Sequence, residues 1–183
     1  MTQAFPLFSL HGRRALVTGA SRGIGFALAQ GLAAHGAAVV LNGRDEAKLE
    51  AAAAELREQG HTVDTSVFDV TDQAEVQTSV DAIEASVGPI DILINNAGIQ
   101  RRGPLEQFGR SDWDELMATN LNAVFFVGQA VARHMIARGK GKIVNIGSVQ
   151  SELARPGIAP YTAAKGAVKN LTRGMATDWA RHG

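Results

Sequence analysis

Two stretches of this chain hold residues whose types and spacing can do chemistry. In Thr18-Gly19-Ala20-Ser21-Arg22-Gly23-Ile24-Gly25, glycines at GxxxGxG spacing stand between a β-branched, aliphatic run and a segment of helical period. Missing side chains there let backbone N–H groups approach a phosphate, and the dipole of the following helix favours its negative charge. The second stretch holds Tyr161 and Lys165, four residues apart on a segment that reads as helix, so both lie on one face. An ammonium beside a phenol favours the phenolate, which makes the pair suited to moving a proton.

A further feature is a missing acid. Leu41-Asn42-Gly43-Arg44, where the second predicted strand ends, offers no carboxylate to accept a hydrogen bond from an adenosine ribose 2′-hydroxyl. Arg44 and Arg22 can instead clamp a 2′-phosphate through charge-assisted, bidentate hydrogen bonds, which favours NADP(H) over NAD(H).

The elements that must position these residues follow from periodicity. Arg14 to Thr18, Ala38 to Leu41, Thr62 to Phe68, Asp91 to Ile94 and Lys142 to Ile146 read as strands. Helices are predicted between them: one from the glycine turn to Gly36, one capped by Asp45 and stopped by Gly60, and one opened by Asp72 with Glu75. A long helix opened by Ser111 runs to about Arg138, and a last one runs from Pro160 to about Arg181. Alternation of this kind implies an α/β fold, a doubly wound parallel sheet covered on both faces. Ligands then sit beyond the carboxyl ends of the strands, so the glycine turn, Asn42 to Arg44, Asn95 to Gly98 and Ile146 to Gln150 should converge.

Composition narrows the function classes. The 183 residues, 45% hydrophobic, are enough for one α/β domain with a sizeable core and too few for a second. Lys+Arg 18 balance Asp+Glu 18 without blocks of like charge, which argues against nucleic acid or an anionic membrane and for a small-molecule partner. The absence of cysteine excludes thiolate metal sites and cysteine nucleophiles. Five scattered histidines, none in a zinc-helix spacing, lead us to expect no metal. No signal-peptide pattern or membrane-length apolar run is evident, so a cytoplasmic protein is expected.

The glycine turn, Asn95-Asn96-Ala97-Gly98, Ser148 and Tyr161-Thr162-Ala163-Ala164-Lys165, in this order and spacing, resemble the short-chain dehydrogenase/reductase family. The resemblance covers essentially the whole chain and implies a Rossmann-type fold and interconversion of a secondary alcohol and a ketone. It implies catalytic roles for Asn120, Ser148, Tyr161 and Lys165: Tyr161 as general acid/base, Ser148 as hydrogen-bond partner of the substrate oxygen, Asn120 as holder of a water linking Lys165 to solvent. Lys165 would also hold the nicotinamide ribose. Cofactor contacts are expected from Gly19, Ser21, Arg22, Gly23, Ile24, Gly25 and Arg44, from Asp69 and Val70 on the adenine side, and from Asn96, Ala97 and Gly98. For Asn95, hydrogen bonding inside the sheet is as good a reading as cofactor contact.

Ala97 to Arg102, Asn42 to Asp45 and Ser148 to Glu152 with Arg155-Pro156 further resemble family members that interconvert D-gluconate and 5-keto-D-gluconate. A sugar acid needs a cation and several polar groups, for which Arg101, Ser148, Gln150 and Tyr161 are the expected contacts. Another ketone, such as a 3-oxoacyl thioester, is the alternative. Family members continue beyond the position of Gly183, so the resemblance implies missing C-terminal strands and substrate lid and a fifth strand left as an edge, with an inactive fragment that at most binds dinucleotide as the second alternative. It also implies a homo-oligomeric parent paired through the long helix and the helix from Pro160.

Overall fold

The computed structural model describes residues 6–183; residues 1–5, part of the opening segment read above for a signal peptide, lie outside the described residues. Five strands form one parallel sheet: β1 (Arg14–Val17), β2 (Ala38–Gly43), β3 (Val63–Val67), β4 (Ile92–Asn95) and β5 (Lys142–Asn145), ordered β3-β2-β1-β4-β5. Leu16 is level with Val40 and Leu93, and Val17 with Leu41 and Ile94. Because successive side chains alternate across a strand, these rows divide the interior in two. Val17, Val39 and Leu41 pack with Ala29 and Ala33 of α1 (Gly23–Ala34) and Leu49 and Leu56 of α2 (Glu46–Glu58). Leu16, Val40 and Leu93 pack with Val76 and Val80 of α3 (Gln73–Ala82) and Val127 and Val131 of α5 (Ala123–Arg138). Beside α5 lies α6 (Ala159–Trp179), which also packs against α4 (Arg110–Met117).

This is the doubly wound sheet that the alternation of elements predicts. The chain winds outward through β1, β2 and β3, returns to β4 beside β1, and continues to β5. Connections leaving β1 and β4 therefore diverge, which opens a crevice at their carboxyl ends.

Helix starts follow the expected chemistry in part. The Asp45 side chain accepts from the Lys48 N–H at 3.1 Å, and Asp72 accepts from Ala74 and Glu75. Glu75 does not complete a capping box: its carboxylate turns to the Asp69 N–H at 2.8 Å and steadies the loop after β3. The long helix expected from Ser111 begins at Arg110, behind Gly109 with no side-chain cap, and is interrupted by a π-turn over Ala118–Asn122. Edge strand β5 pairs with β4 along one side, and Val144 is 46% exposed.

Candidate active site

The turn after β1 is laced to the end of β4. Thr18 Oγ1 accepts from the N–H groups of Asn96 (3.0 Å) and Ala97 (3.1 Å), while Asn96 Nδ2 donates to the carbonyls of Thr18 and Gly19 at 3.0 and 3.1 Å. Gly19 has φ +63°, and its pro-Cβ position lies 2.9 Å from Ala97 Cα, so only glycine fits there without a shift. A Cβ on Gly25 would strike the Gly19 carbonyl oxygen. The result is a side-chain-free cradle at the start of α1, as a pyrophosphate requires.

On one side of the cradle stands the end of β2. Asn42 is buried and donates through Nδ2 to the carbonyls of Ser66 (3.2 Å) and Phe68 (3.0 Å), so its amide ties β2 to β3. Arg44 leans to Asp69, with Nη1 3.3 Å from the carboxylate. Burial pushes the Asp69 carboxyl up, but the Thr71 N–H and hydroxyl, together with Arg44, outweigh this and hold it below its ordinary value.

On the other side, α6 delivers the phenol and the ammonium. Lys165 is 5% exposed, and its Nζ donates to the Ile146 carbonyl oxygen at 2.6 Å and lies 5.9 Å from the centre of the Tyr161 ring. Burial drives the Lys165 ammonium below its ordinary range. Ser148 follows in extended backbone, and its Oγ accepts from the Gln150 N–H at 3.1 Å, which leaves the hydroxyl proton free to be donated. Two further ties join this loop to α6: Ser151 Oγ donates to the Lys165 carbonyl at 3.0 Å, and Glu152 pairs with Lys169.

Both sides open on one cleft of about 1250 Å³. The glycine turn, Arg22, Arg44, Asp69, Val70, Asn96 to Gly98, Ser148, Gln150, Tyr161 and Lys165 line it, so the structure brings nearly all the sequence-selected residues together. Two of them, Arg101 and Asn120, lie off the cleft lining. Arg101 is not among the lining residues: Glu115 holds its Nη2 at 2.6 Å and Asp112 its Nε at 3.5 Å, while Arg102 and Arg155 line the cleft instead. Asn120 lies behind the wall, fully buried, clamping the backbone of Ile99 through both amide atoms at 2.7 and 2.8 Å. Its side chain therefore anchors the loop that follows β4. Sequence reasoning missed Thr18 as the lace and Asn42 as the β2–β3 tie; a polar residue ending each apolar strand was the available signal.

Among the described residues, no group of three or more His, Asp or Glu side chains could hold a metal ion, and no helix is long and apolar enough to cross a membrane.

Cradling N–H groups at one end of a crevice and a proton-moving pair at the other mark an oxidoreductase that uses a nicotinamide dinucleotide. The family model for short chain dehydrogenases matches residues 13–183, and the chain belongs to that family. It is 73% identical to a gluconate 5-dehydrogenase of Gluconobacter oxydans over 97% of this chain and 69% of that protein. It is 49% identical to a 5-keto-D-gluconate 5-reductase of Escherichia coli over 96% of this chain and 69% of the relative. Among solved structures, a gluconate 5-dehydrogenase from Burkholderia cenocepacia in complex with NADP and tartrate superposes with a TM-score of 0.94 at 61% identity, covering 96% of this chain and 69% of that one. The chain is accordingly an oxidoreductase interconverting a secondary alcohol and a ketone.

Proposed function

We propose that this protein uses NADP(H) to interconvert D-gluconate and 5-keto-D-gluconate, with Tyr161 as the general acid/base. The observation that carries the reading is the buried Lys165 ammonium, fixed to Ile146 beside Tyr161 in the cleft that Ser148 also lines. When bound, the nicotinamide dinucleotide supplies the hydride for reduction and takes it up in oxidation. In the reductive direction Tyr161 gives its hydroxyl proton to the carbonyl oxygen, and Ser148 donates a hydrogen bond to the same oxygen. Lys165 spends one donor on Ile146 and keeps two, for the phenol side and for a ribose hydroxyl. Asn120, which anchors the Ile99 loop through its side chain from within the π-turn, is the residue to hold a water linking Lys165 to solvent.

NADP(H) preference is supported by Arg22 and Arg44 at the cleft and by the buried amide of Asn42 where a ribose-binding acid is missing. The sugar-acid reading is supported by the relatives' activities and by Arg102 and Arg155, which line the cleft that Ser148 also lines and can meet a carboxylate there. NADPH oxidation followed with 5-keto-D-gluconate beside an acetoacetyl thioester tests both parts. Turnover of the keto acid alone is expected; turnover of the thioester alone overturns the substrate.

A further inference from the structure

Away from the cleft, a chain of side-chain hydrogen bonds crosses from the sheet to α6. Asn95 and Asn145 stand level on β4 and β5. Asn95 is buried, and its Nδ2 donates to Asn145 Oδ1 at 2.9 Å and to the Val124 carbonyl of α5 at 3.4 Å. Asn145 Nδ2 in turn donates to Thr172 Oγ1 at 2.9 Å, and that hydroxyl gives its proton to the Val168 carbonyl at 2.7 Å. The hydroxyl is thereby oriented: its proton is spent on its own helix, and a lone pair is turned to the sheet. Neither Asn145 nor Thr172 lines the cleft.

Directly after Asn145 comes Ile146, whose carbonyl holds Lys165. Consecutive residues at one strand end therefore grip α6 at two points, Lys165 and Thr172. Seven residues are close to two helical turns, so both grips fall on one stripe of the helix about 10 Å apart, and Tyr161 stands on the same stripe one turn before Lys165. The Lys165 grip fixes the spacing of helix and strand, but a helix held at one point can still roll and pivot about it. A second grip on the same stripe removes both motions. We infer that Asn145 and Thr172 are positioning residues for the reaction: their hydrogen bond sets the roll of α6 and with it the direction in which Tyr161 presents its phenol. This rests on Tyr161 as the acid/base and extends the machinery to two residues that touch neither end of the cleft. Apolar side chains at the same places would bury comparable area, yet their contact has no preferred direction, whereas a hydrogen bond weakens steeply when its angle is lost. Without the hydroxyl, Asn145 Nδ2 keeps only Met175 Sδ, at 3.6 Å, a weak acceptor farther along α6 from Tyr161.

Tyr161 is the only tyrosine in the sequence, so isotope-labelled tyrosine gives one set of ring resonances that reports its placement without any turnover. Spectra and steady-state kinetics are compared for wild type, Thr172→Val, Thr172→Ala and Thr172→Ser. Thr172→Val and Thr172→Ala, which lack the hydroxyl, should shift and broaden the Tyr161 resonance and lower kcat for 5-keto-D-gluconate about tenfold, with KM within about two-fold, because transfer depends on geometry more steeply than binding does. Thr172→Ser keeps the hydroxyl and should restore both readouts. A lowered Tm with the resonance unmoved and kcat at the wild-type value would make the bond a stabilising contact only; the positioning role is then overturned and the acid/base reading of Tyr161 stands. Equal loss in Thr172→Ser would trace the effect to packing and overturn it as well. A moved resonance in the variants without the hydroxyl, beside full turnover by Tyr161→Phe, would uphold the placement of the phenol while the acid/base reading falls.

Discussion

Lys165 and the Ile146 carbonyl meet at 2.6 Å, joining the helix that carries Tyr161 to the end of the strand that leads into Ser148. One hydrogen bond thus fixes the spacing of the phenol, the ammonium and the serine hydroxyl. If Tyr161 moves the proton, removing its oxygen should stop chemistry and spare binding. Tyr161→Phe is expected to lower kcat by a factor of about 10² to 10⁴ while NADPH still quenches tryptophan fluorescence. Turnover within a few-fold of wild type would remove Tyr161 from the chemistry.

Burial of Lys165 has a signature in stability. Its ammonium is held below the ordinary value of 10.5, so between the lowered folded value and 10.5 the unfolded chain binds more protons than the folded one. Unfolding free energy therefore gains from this group as pH rises through that window. Below the window the burial penalty is full and constant; above 10.5 it is gone. Denaturant unfolding of wild type and Lys165→Met across alkaline pH should give a stability difference that shifts in favour of wild type as pH rises. A pH-independent difference would show that burial does not disfavour the charged form.

How much of this was legible in the sequence depends on whether the signal is local. Asp45 and Asp72 were readable as caps because capping needs only a carboxylate at one position before a periodic run. Glycine at positions 19 and 25 was readable because the strand-to-helix turn forbids a Cβ there. The π-turn at Ala118–Asn122 was not, since a single π-turn inside a helix carries no residue signature of its own. Glu75 looked like half of a capping box, and only the folded loop brings the Asp69 N–H into its reach. Nor could the choice between Arg101 and Arg102 be made in a loop without period; acids on α4 decide it by capturing Arg101.

That capture separates neighbouring arginines functionally. Arg101 spends its guanidinium on exposed pairs with Glu115 and Asp112, each worth about 1 kcal/mol at most, and stays off the cleft. Arg102→Ala and Arg155→Ala should each raise the KM for 5-keto-D-gluconate about tenfold, corresponding to roughly 1.4 kcal/mol of lost binding, with NADPH affinity unchanged. Arg101→Ala should leave that KM within about two-fold, as expected for loss of a surface pair. Steady-state kinetics on the three variants decides the matter, and the reverse ranking would return the substrate carboxylate to Arg101.

Two glycines of α1 should respond oppositely to the same added methyl group. At Gly31 nothing lies within 4 Å of the new Cβ, and the backbone is helical, so Gly31→Ala should stabilise the protein by about 0.5 to 1 kcal/mol through helix propensity. At Gly25 the same atom meets the Gly19 carbonyl and stands 2.5 Å from Asn96 Nδ2. Neither neighbour can yield cheaply, because Asn96 is holding the carbonyls of Thr18 and Gly19. Gly25→Ala should therefore destabilise by about 1 to 3 kcal/mol, as overpacking does, and weaken dinucleotide binding by reshaping the cradle. Thermal unfolding with and without NADPH reads both effects. An unshifted Tm and unchanged NADPH stabilisation for Gly25→Ala would mean that the turn has room to spare and that its closeness to β4 is not what shapes the cofactor site.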